Sequence, residues 1–155
     1  MKYTISFKVL LFFIALLSIF QCSYYGSKFE KEFDEFVSDS DKTVTNGDLL
    51  HPVYAYVKNG KIKGLEINNA PECGHYTKRY FLSENEEIFK IIIQKDFYNE
   101  NCGGAFDSIY VINPARNEIV TYTKFMVGKK FTKNTSAELK DFDSYKKEIH
   151  NWKRK

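Results

Sequence analysis

The chain of 155 residues has few of the features that assign a function from sequence. It contains three cysteines, three prolines and one tryptophan, and it has no stretch of about 20 apolar residues, the length that a membrane-spanning helix needs. Sequence signatures of a catalytic cysteine or serine are missing. The pair Gly103-Gly104 follows a polar loop, whereas a phosphate-binding glycine motif follows a strand. The sequence therefore predicts no catalytic residue, no cofactor and no metal ion.

A surplus of charge of either sign is also missing. The chain has 23 lysines and arginines against 20 aspartates and glutamates, and without Lys2 and Lys8 near its start 21 basic residues stand against 20 acidic ones. Nucleic-acid binding calls for a clear basic surplus or stripe, so nucleic acid is not a predicted partner. Aromatic residues are plentiful at 17%, which favours β-strands and large contact surfaces.

The N-terminal segment has the pattern of an export signal. Lys2 and Lys8 precede an apolar run, Val9 to Phe20. Its length of about 12 residues is typical of a signal peptide and too short to span a membrane. The sequence Ile19-Phe20-Gln21-Cys22 resembles a bacterial lipoprotein box, in which an aliphatic residue stands three positions before the cysteine that becomes the lipidated first residue. The resemblance implies a signal peptide at 1–21, a lipid on Cys22 and a protein anchored to the membrane of the bacterial cell envelope.

Two alternatives to lipidation remain open, because Phe20 and Gln21 are larger than the residues usual before such a cysteine. Ordinary cleavage nearby would release a secreted protein, although the A-x-A pattern of such sites is missing. An uncleaved N-terminal anchor is the other alternative. Residues 22–155 are expected to form a single α+β domain.

The number of cysteines agrees with this interpretation. Three cysteines leave one over after pairing, and a lipid on Cys22 accounts for it. Cys73 and Cys102 then remain for each other, and a disulfide that closes a loop of about 30 residues stabilises a fold by about 3 kcal/mol in the chain-entropy model. The alternative is a zinc site of Cys73, His75 and Cys102, with Glu72 as a candidate fourth ligand. It lacks the paired ligand spacing of structural zinc sites, so the sequence favours the disulfide.

Hydrophobic periodicity predicts an α+β fold built on an antiparallel meander of about five to six strands. The expected strands are Val53–Lys58, Lys61–Ile67, His75–Leu82, Glu87–Ile93, Phe106–Ile112 and Glu118–Val127. Asn59-Gly60 is the preferred two-residue turn of a hairpin. Gly64 interrupts the alternation after that turn, which indicates a β-bulge or a bend.

Two helices are expected, an N-terminal and a C-terminal one. The first is Lys28–Val37, and the second follows a stripe of apolar residues at steps of three and four. That stripe consists of Leu139, Phe142, Tyr145, Ile149 and Trp152. Both helices are expected to pack on one face of the sheet. The alternative for the second is a helix that lies on a membrane surface, for which its basic end is suited.

Small size, export and aromatic content favour a non-catalytic protein, anchored in the envelope or secreted, that binds another protein as an inhibitor or immunity-type module would. The rival is a small-ligand carrier or an enzyme that uses the concave face of the sheet. A cavity lined by Tyr54, Tyr56, Tyr76 and Tyr80 would favour that rival. The sequence makes no prediction of the oligomeric state.

Overall fold

A computed structural model of the chain describes residues 26–70, 72, 74–97, 108–122, 127–131 and 136–154. Within these residues, nine strands form one sheet that two helices flank. In chain order the elements are α1 (26–37), β1 (Lys42–Thr45), β2 (Val53–Lys58), β3 (Lys61–Asn69), β4 (Gly74–Leu82), β5 (Ile88–Phe97), β6 (Ser108–Asn113), β7 (Glu118–Tyr122), β8 (Val127–Phe131), α2 (Ser136–Glu148) and β9 (Lys153–Arg154). The fold is therefore α+β, as predicted.

The strands follow one another across the sheet. Their order is β8-β7-β6-β5-β4-β3-β2-β1-β9, with antiparallel pairing throughout, so eight strands form a meander and the C-terminal β9 returns to pair with β1. Asn59 and Gly60 have φ angles of 52° and 76°, as a type I′ turn between β2 and β3 requires. The register shifts opposite Gly64, between Tyr56 and Val57, which confirms the bulge.

The two helices lie on opposite faces of the sheet. Side chains alternate along β4, so Tyr80 points to one face and Phe81 to the other. The Tyr80 ring contacts Phe142 of α2 at a centroid distance of 5.5 Å, whereas the Phe81 ring contacts Phe33 of α1 at 5.2 Å. The prediction that both helices share one face is therefore wrong.

This arrangement follows from the β4–β5 hairpin, which carries large apolar side chains on both faces. Ile91 and Ile92 are neighbours in β5 and point to opposite faces, yet both are completely buried. A sheet with apolar side chains on both faces has to be covered on both. The cluster under α1 consists of Phe29, Phe33, Val37, Phe81, Ile92 and Ile109. The larger cluster, which includes Tyr80 and Ile91, lies under α2.

Helix α1 approaches the backbone of the sheet closely at the bulge in β3. A Cβ atom at Gly64 would lie 2.7 Å from Cγ1 of Val37 and 3.2 Å from the ring of Phe33. These distances are shorter than carbon atoms tolerate, so the helix packs at this depth only because residue 64 has no side chain.

Strands β1, β8 and β9 are additional to those that the sequence predicts. β1 lies in a stretch expected to be a loop. The strand expected at Glu118–Val127 is observed as β7 over Glu118–Tyr122, its residues 123–126 lie outside the described residues, and Val127 belongs to β8, which pairs with β7. β5 continues to Phe97, beyond its predicted end at Ile93. β1 forms because it pairs on both sides, with β2 and with β9, and it buries Val44.

The C-terminal helix is docked on the sheet, as predicted. Phe142 is 3% exposed and Ile149 is 8% exposed. The buried ammonium group of Lys78 in β4 donates a hydrogen bond to Asp141 of α2 at 2.7 Å. A 3-10 turn then leads from α2 towards β9. The stripe therefore packs in the core, and none of the described helices is long and apolar enough to cross a membrane.

Candidate functional site

A cleft of about 470 Å³ opens between the turn of the β2–β3 hairpin and the turn of the β4–β5 hairpin. We call it the lysine cleft. Its lining residues are Phe36, Lys58, Asn59, Lys61, Ile62, Lys63, Leu82, Ser83, Glu84 and Phe89. Because consecutive hairpins of a meander place alternate turns at the same end of the sheet, these residues come from distant parts of the chain.

Hydrogen bonds tie the two turns together. The Lys61 ammonium group donates to the backbone carbonyl of Glu84 at 2.9 Å. The backbone N–H of Ile62 donates to the Glu86 carboxylate at 2.8 Å, and Lys146 of α2 forms an ion pair with the same carboxylate at 3.1 Å. Burial acts to raise the pKa of Glu86, but these two donors together hold the pKa below its ordinary value. The walls of the cleft are therefore held together by ordered polar contacts.

The apolar part of the lysine cleft is aromatic. The rings of Phe36 and Phe89 meet edge to face with centroids 5.8 Å apart. Phe89 is 43% exposed because it is the extra residue of a bulge: Phe81 pairs with Lys90, and Leu82 pairs with Ile88. An exposed aromatic ring in a concave surface is typical of a binding site.

The rim of the cleft is cationic. Among the side chains that line it, Lys58, Lys61 and Lys63 are cationic and Glu84 is anionic. Asp39, which follows α1, forms ion pairs with both Lys58 and Lys63. Hydrogen bonds from these two lysines lower the pKa of Asp39 from 3.8 to about 2, and the bond to Asp39 raises the pKa of Lys58. The Lys63 ammonium group also lies 4.8 Å from the ring centroid of Phe36, a cation–π distance.

The groups that line the cleft are suited to binding a ligand that is both anionic and partly apolar. Within the described residues no group of three histidine, cysteine, aspartate or glutamate side chains could hold a metal ion. His51, His75 and His150 are exposed and lie away from the cleft lining. Ammonium groups beside an aromatic surface can instead bind carboxylates together with an apolar side chain.

Cys22, Cys73 and Cys102 lie outside the described residues, so the lipid and the disulfide stay predictions. The strand register describes residues close in sequence to Cys73 and Cys102. Cys73 directly precedes Gly74, which pairs with Phe97 of β5. Cys102 follows Phe97 by five positions.

The four tyrosines that could have lined one cavity lie on opposite faces. Tyr54 and Tyr56 alternate with buried residues of β2 and lie on the α1 face, whereas Tyr76 and Tyr80 lie on the α2 face. Tyr56 contacts Phe33 at 5.5 Å, and burial raises its pKa to about 12. These side chains pack in two separate layers, so the concave cavity imagined from the sequence does not form from them.

Sequence reasoning missed the lysine cleft, although part of its signal was local. A two-residue turn places Lys58 opposite Lys61, so a group of lysines around Asn59-Gly60 was foreseeable. The exposure of Phe89 was not foreseeable, because it depends on a bulge that no glycine marks.

No family model, curated protein or solved structure matches this chain, so the site is interpreted from its own chemistry.

Proposed function

We propose that the protein is an exported, non-catalytic binding module, anchored to the bacterial cell envelope by a lipid on Cys22. We further propose that the lysine cleft binds an acidic segment of another protein. One observation carries this proposal: the exposed ring of Phe89 lies in a cleft whose rim holds three lysines.

Charge and shape together favour such a partner. Carboxylates of the partner would meet the ammonium groups of Lys58, Lys61 and Lys63, and an apolar side chain would pack on Phe89. Charges at a rim speed association and select the partner, while a central aromatic residue supplies most of the binding energy. Because Asp39 already holds two of the lysines in place, binding would order few side chains. An inhibitor or immunity-type module would act through a preformed surface of this kind.

Capture from a detergent extract of the cell envelope tests the cleft. We expect one acidic partner to co-purify with the wild-type chain and to be lost with Lys61→Glu and with Phe89→Ser, because both positions line the cleft. Lys147→Glu is the matched control, since Lys147 is exposed on α2 and does not line the cleft. Binding should also weaken as salt rises. A partner that both cleft variants retain contradicts the proposal.

The lipid anchor is tested separately. A fatty-acid analogue supplied to growing cells should label the wild-type chain and leave Cys22→Ser unlabelled. Equal labelling of the two chains, or a wild-type chain that fractionates as a soluble protein, contradicts the anchor.

A small-ligand carrier is the second candidate, because the cleft volume of about 470 Å³ is within the range of roughly 300–1,000 Å³ typical of small-molecule sites. Native mass spectrometry distinguishes the two. A small anion that stays with the purified wild-type chain and is lost with Lys61→Glu, in the absence of a captured protein, would favour the carrier.

A further inference from the structure

Two adjacent leucines project from the loop between β1 and β2. Leu49 is 95% exposed and Leu50 is 76% exposed; we call the pair the leucine tip. Together with Pro52 and Tyr76 they border a shallow depression of about 220 Å³. Neighbouring apolar side chains that protrude this far into water mark a contact surface more often than isolated ones do.

The loop that carries the leucine tip is held in one conformation. The Asn46 side-chain oxygen accepts hydrogen bonds from the backbone N–H groups of Asp48 and Val53, at 3.2 and 3.0 Å. The Asp48 carboxylate accepts from the N–H groups of Leu50 and His51, at 2.8 and 3.1 Å, and these bonds lower the pKa of Asp48. The carboxylate is therefore directed at the loop backbone, and the two leucines are displayed by an ordered scaffold.

The start of α1 lies at the same end of the sheet as the leucine tip. A Cβ atom at Gly26 would lie 3.3 Å from the amide nitrogen of Gln94, so Gly26 lies over that side chain. Across the sheet, Gln94 pairs with Thr77 and Thr77 pairs with Asn68. The backbone N–H of Asn68 donates to the carbonyl of Pro52, just before β2. Gly26 is thus level with the base of the loop that carries the tip.

The short stretch of chain between Cys22 and Gly26 limits the distance between a lipid on Cys22 and the end of the sheet that carries the leucine tip. Cys22 precedes Gly26 by four residues, which span at most about 14 Å when fully extended. Under the lipid anchor proposed above, the bilayer surface therefore lies close to the end of the sheet that carries the leucine tip. The lysine cleft is at the opposite end, beside the turns that follow β2 and β4.

We propose that the leucine tip inserts into the surface of the membrane to which the N-terminus is anchored. This inference rests on the proposed anchor. A lipid on Cys22 alone would leave the domain free to turn, whereas a second apolar contact at the headgroup boundary would hold the sheet upright. In that orientation the lysine cleft faces away from the bilayer and is open to a partner protein.

Contact quenching by brominated lipid tests the insertion. The full chain carrying Leu49→Trp is purified from the membranes of an expressing bacterium and reconstituted into vesicles of brominated phosphatidylcholine. Asn85→Trp is the matched control, because Asn85 is exposed in the turn at the other end of the sheet. Both variants keep Trp152, so the parent chain supplies the baseline. We expect the bromine to remove at least half of the emission that Leu49→Trp adds, and none of the emission that Asn85→Trp adds.

The possible results separate the inference from the anchor. Equal quenching of the two variants, or no quenching of Leu49→Trp in a membrane-bound chain, overturns the insertion and leaves the anchor standing. A chain found only in the soluble fraction overturns both. Emission from Leu49→Trp that shifts with protein concentration without lipid identifies a second copy of the chain as the occupant, and also overturns the insertion. Leu50→Trp provides a second probe at the same tip.

Discussion

Gly64→Ala would test how α1 is seated on the sheet. The added methyl group would lie 2.7 Å from Cγ1 of Val37 and 3.2 Å from the ring of Phe33. Both of these side chains are buried, so neither can turn into solvent. Either α1 moves outward or the bulge in β3 deforms. We expect overpacking of this kind to lower the free energy of unfolding by about 1–3 kcal/mol, and the melting temperature by roughly 2–4 °C for each kcal/mol.

The same contact predicts that the losses of stability from two substitutions do not add in full. Val37→Ala alone should cost about 2 kcal/mol, because it removes buried methyl groups. It also vacates the space that the methyl group at position 64 needs, so the double variant should be more stable than the sum of the two losses by about 1 kcal/mol or more. Gly60→Ala is the control. Its φ of 76° strains an alanine, but a Cβ there meets nothing within 4 Å, so its cost should simply add to that of Val37→Ala.

Urea unfolding followed by circular dichroism and by the fluorescence of Trp152 measures these free energies. Trp152 packs in the cluster under α2, so coincident curves from the two probes indicate that both faces of the sheet unfold together. The reasoning is refuted if Gly64→Ala is as stable as the wild-type chain, or if its cost adds in full to that of Val37→Ala.

Three further predictions concern single side chains. The side chains of Arg79 and Glu66 are 7% and 14% exposed and form an ion pair at 2.8 Å. Glu66→Gln leaves the buried guanidinium without its counter-charge, so it should lower the free energy of unfolding, measured in urea, by about 3 kcal/mol. A loss below about 1 kcal/mol would contradict this. Burial raises the pKa of Tyr56 from 10 to about 12, so its contribution to stability is present below pH 10 and is lost as the pH rises towards 12. Tyr56→Phe should lessen the alkaline fall in melting temperature, and an unchanged pH profile would count against the argument. Mass mapping without reduction should find Cys73 linked to Cys102, and Cys73→Ser should cost about 3 kcal/mol, whereas two free thiols would exclude the disulfide.

The parts of the fold that could be predicted are those whose signals are local. Asn59-Gly60 specifies its turn because both residues tolerate positive φ, and the strands around it alternate with period two. β1 and β9 could not be predicted in the same way. Lys42–Thr45 is polar and Lys153–Arg154 is only two residues long, so pairing with strands that are distant in the sequence determines their conformation.

The placement of the helices could not be predicted, because alternation along a strand indicates which side chains share a face but not whether water covers that face. In β4, Arg79 shares a face with Phe81, and a face that carries a charged residue is commonly taken as solvated. Here Arg79 is buried beneath α1 because Glu66 neutralises it. The informative residue was Phe81, since a large aromatic side chain on an otherwise polar face indicates that something covers it.

Helix α1 connects the two ends of the molecule that matter for the proposed function. It begins at residue 26, level with the leucine tip, and its last turn carries Phe36 into the lysine cleft. Asp39, two residues beyond the helix, holds Lys58 and Lys63 at the rim. A helix displaced by a methyl group at position 64 would therefore misplace both the aromatic part and the cationic rim of the cleft. If that is so, Gly64→Ala should weaken partner capture even at temperatures where the chain remains folded, and adding Val37→Ala should restore capture, although the double variant stays less stable than the wild-type chain.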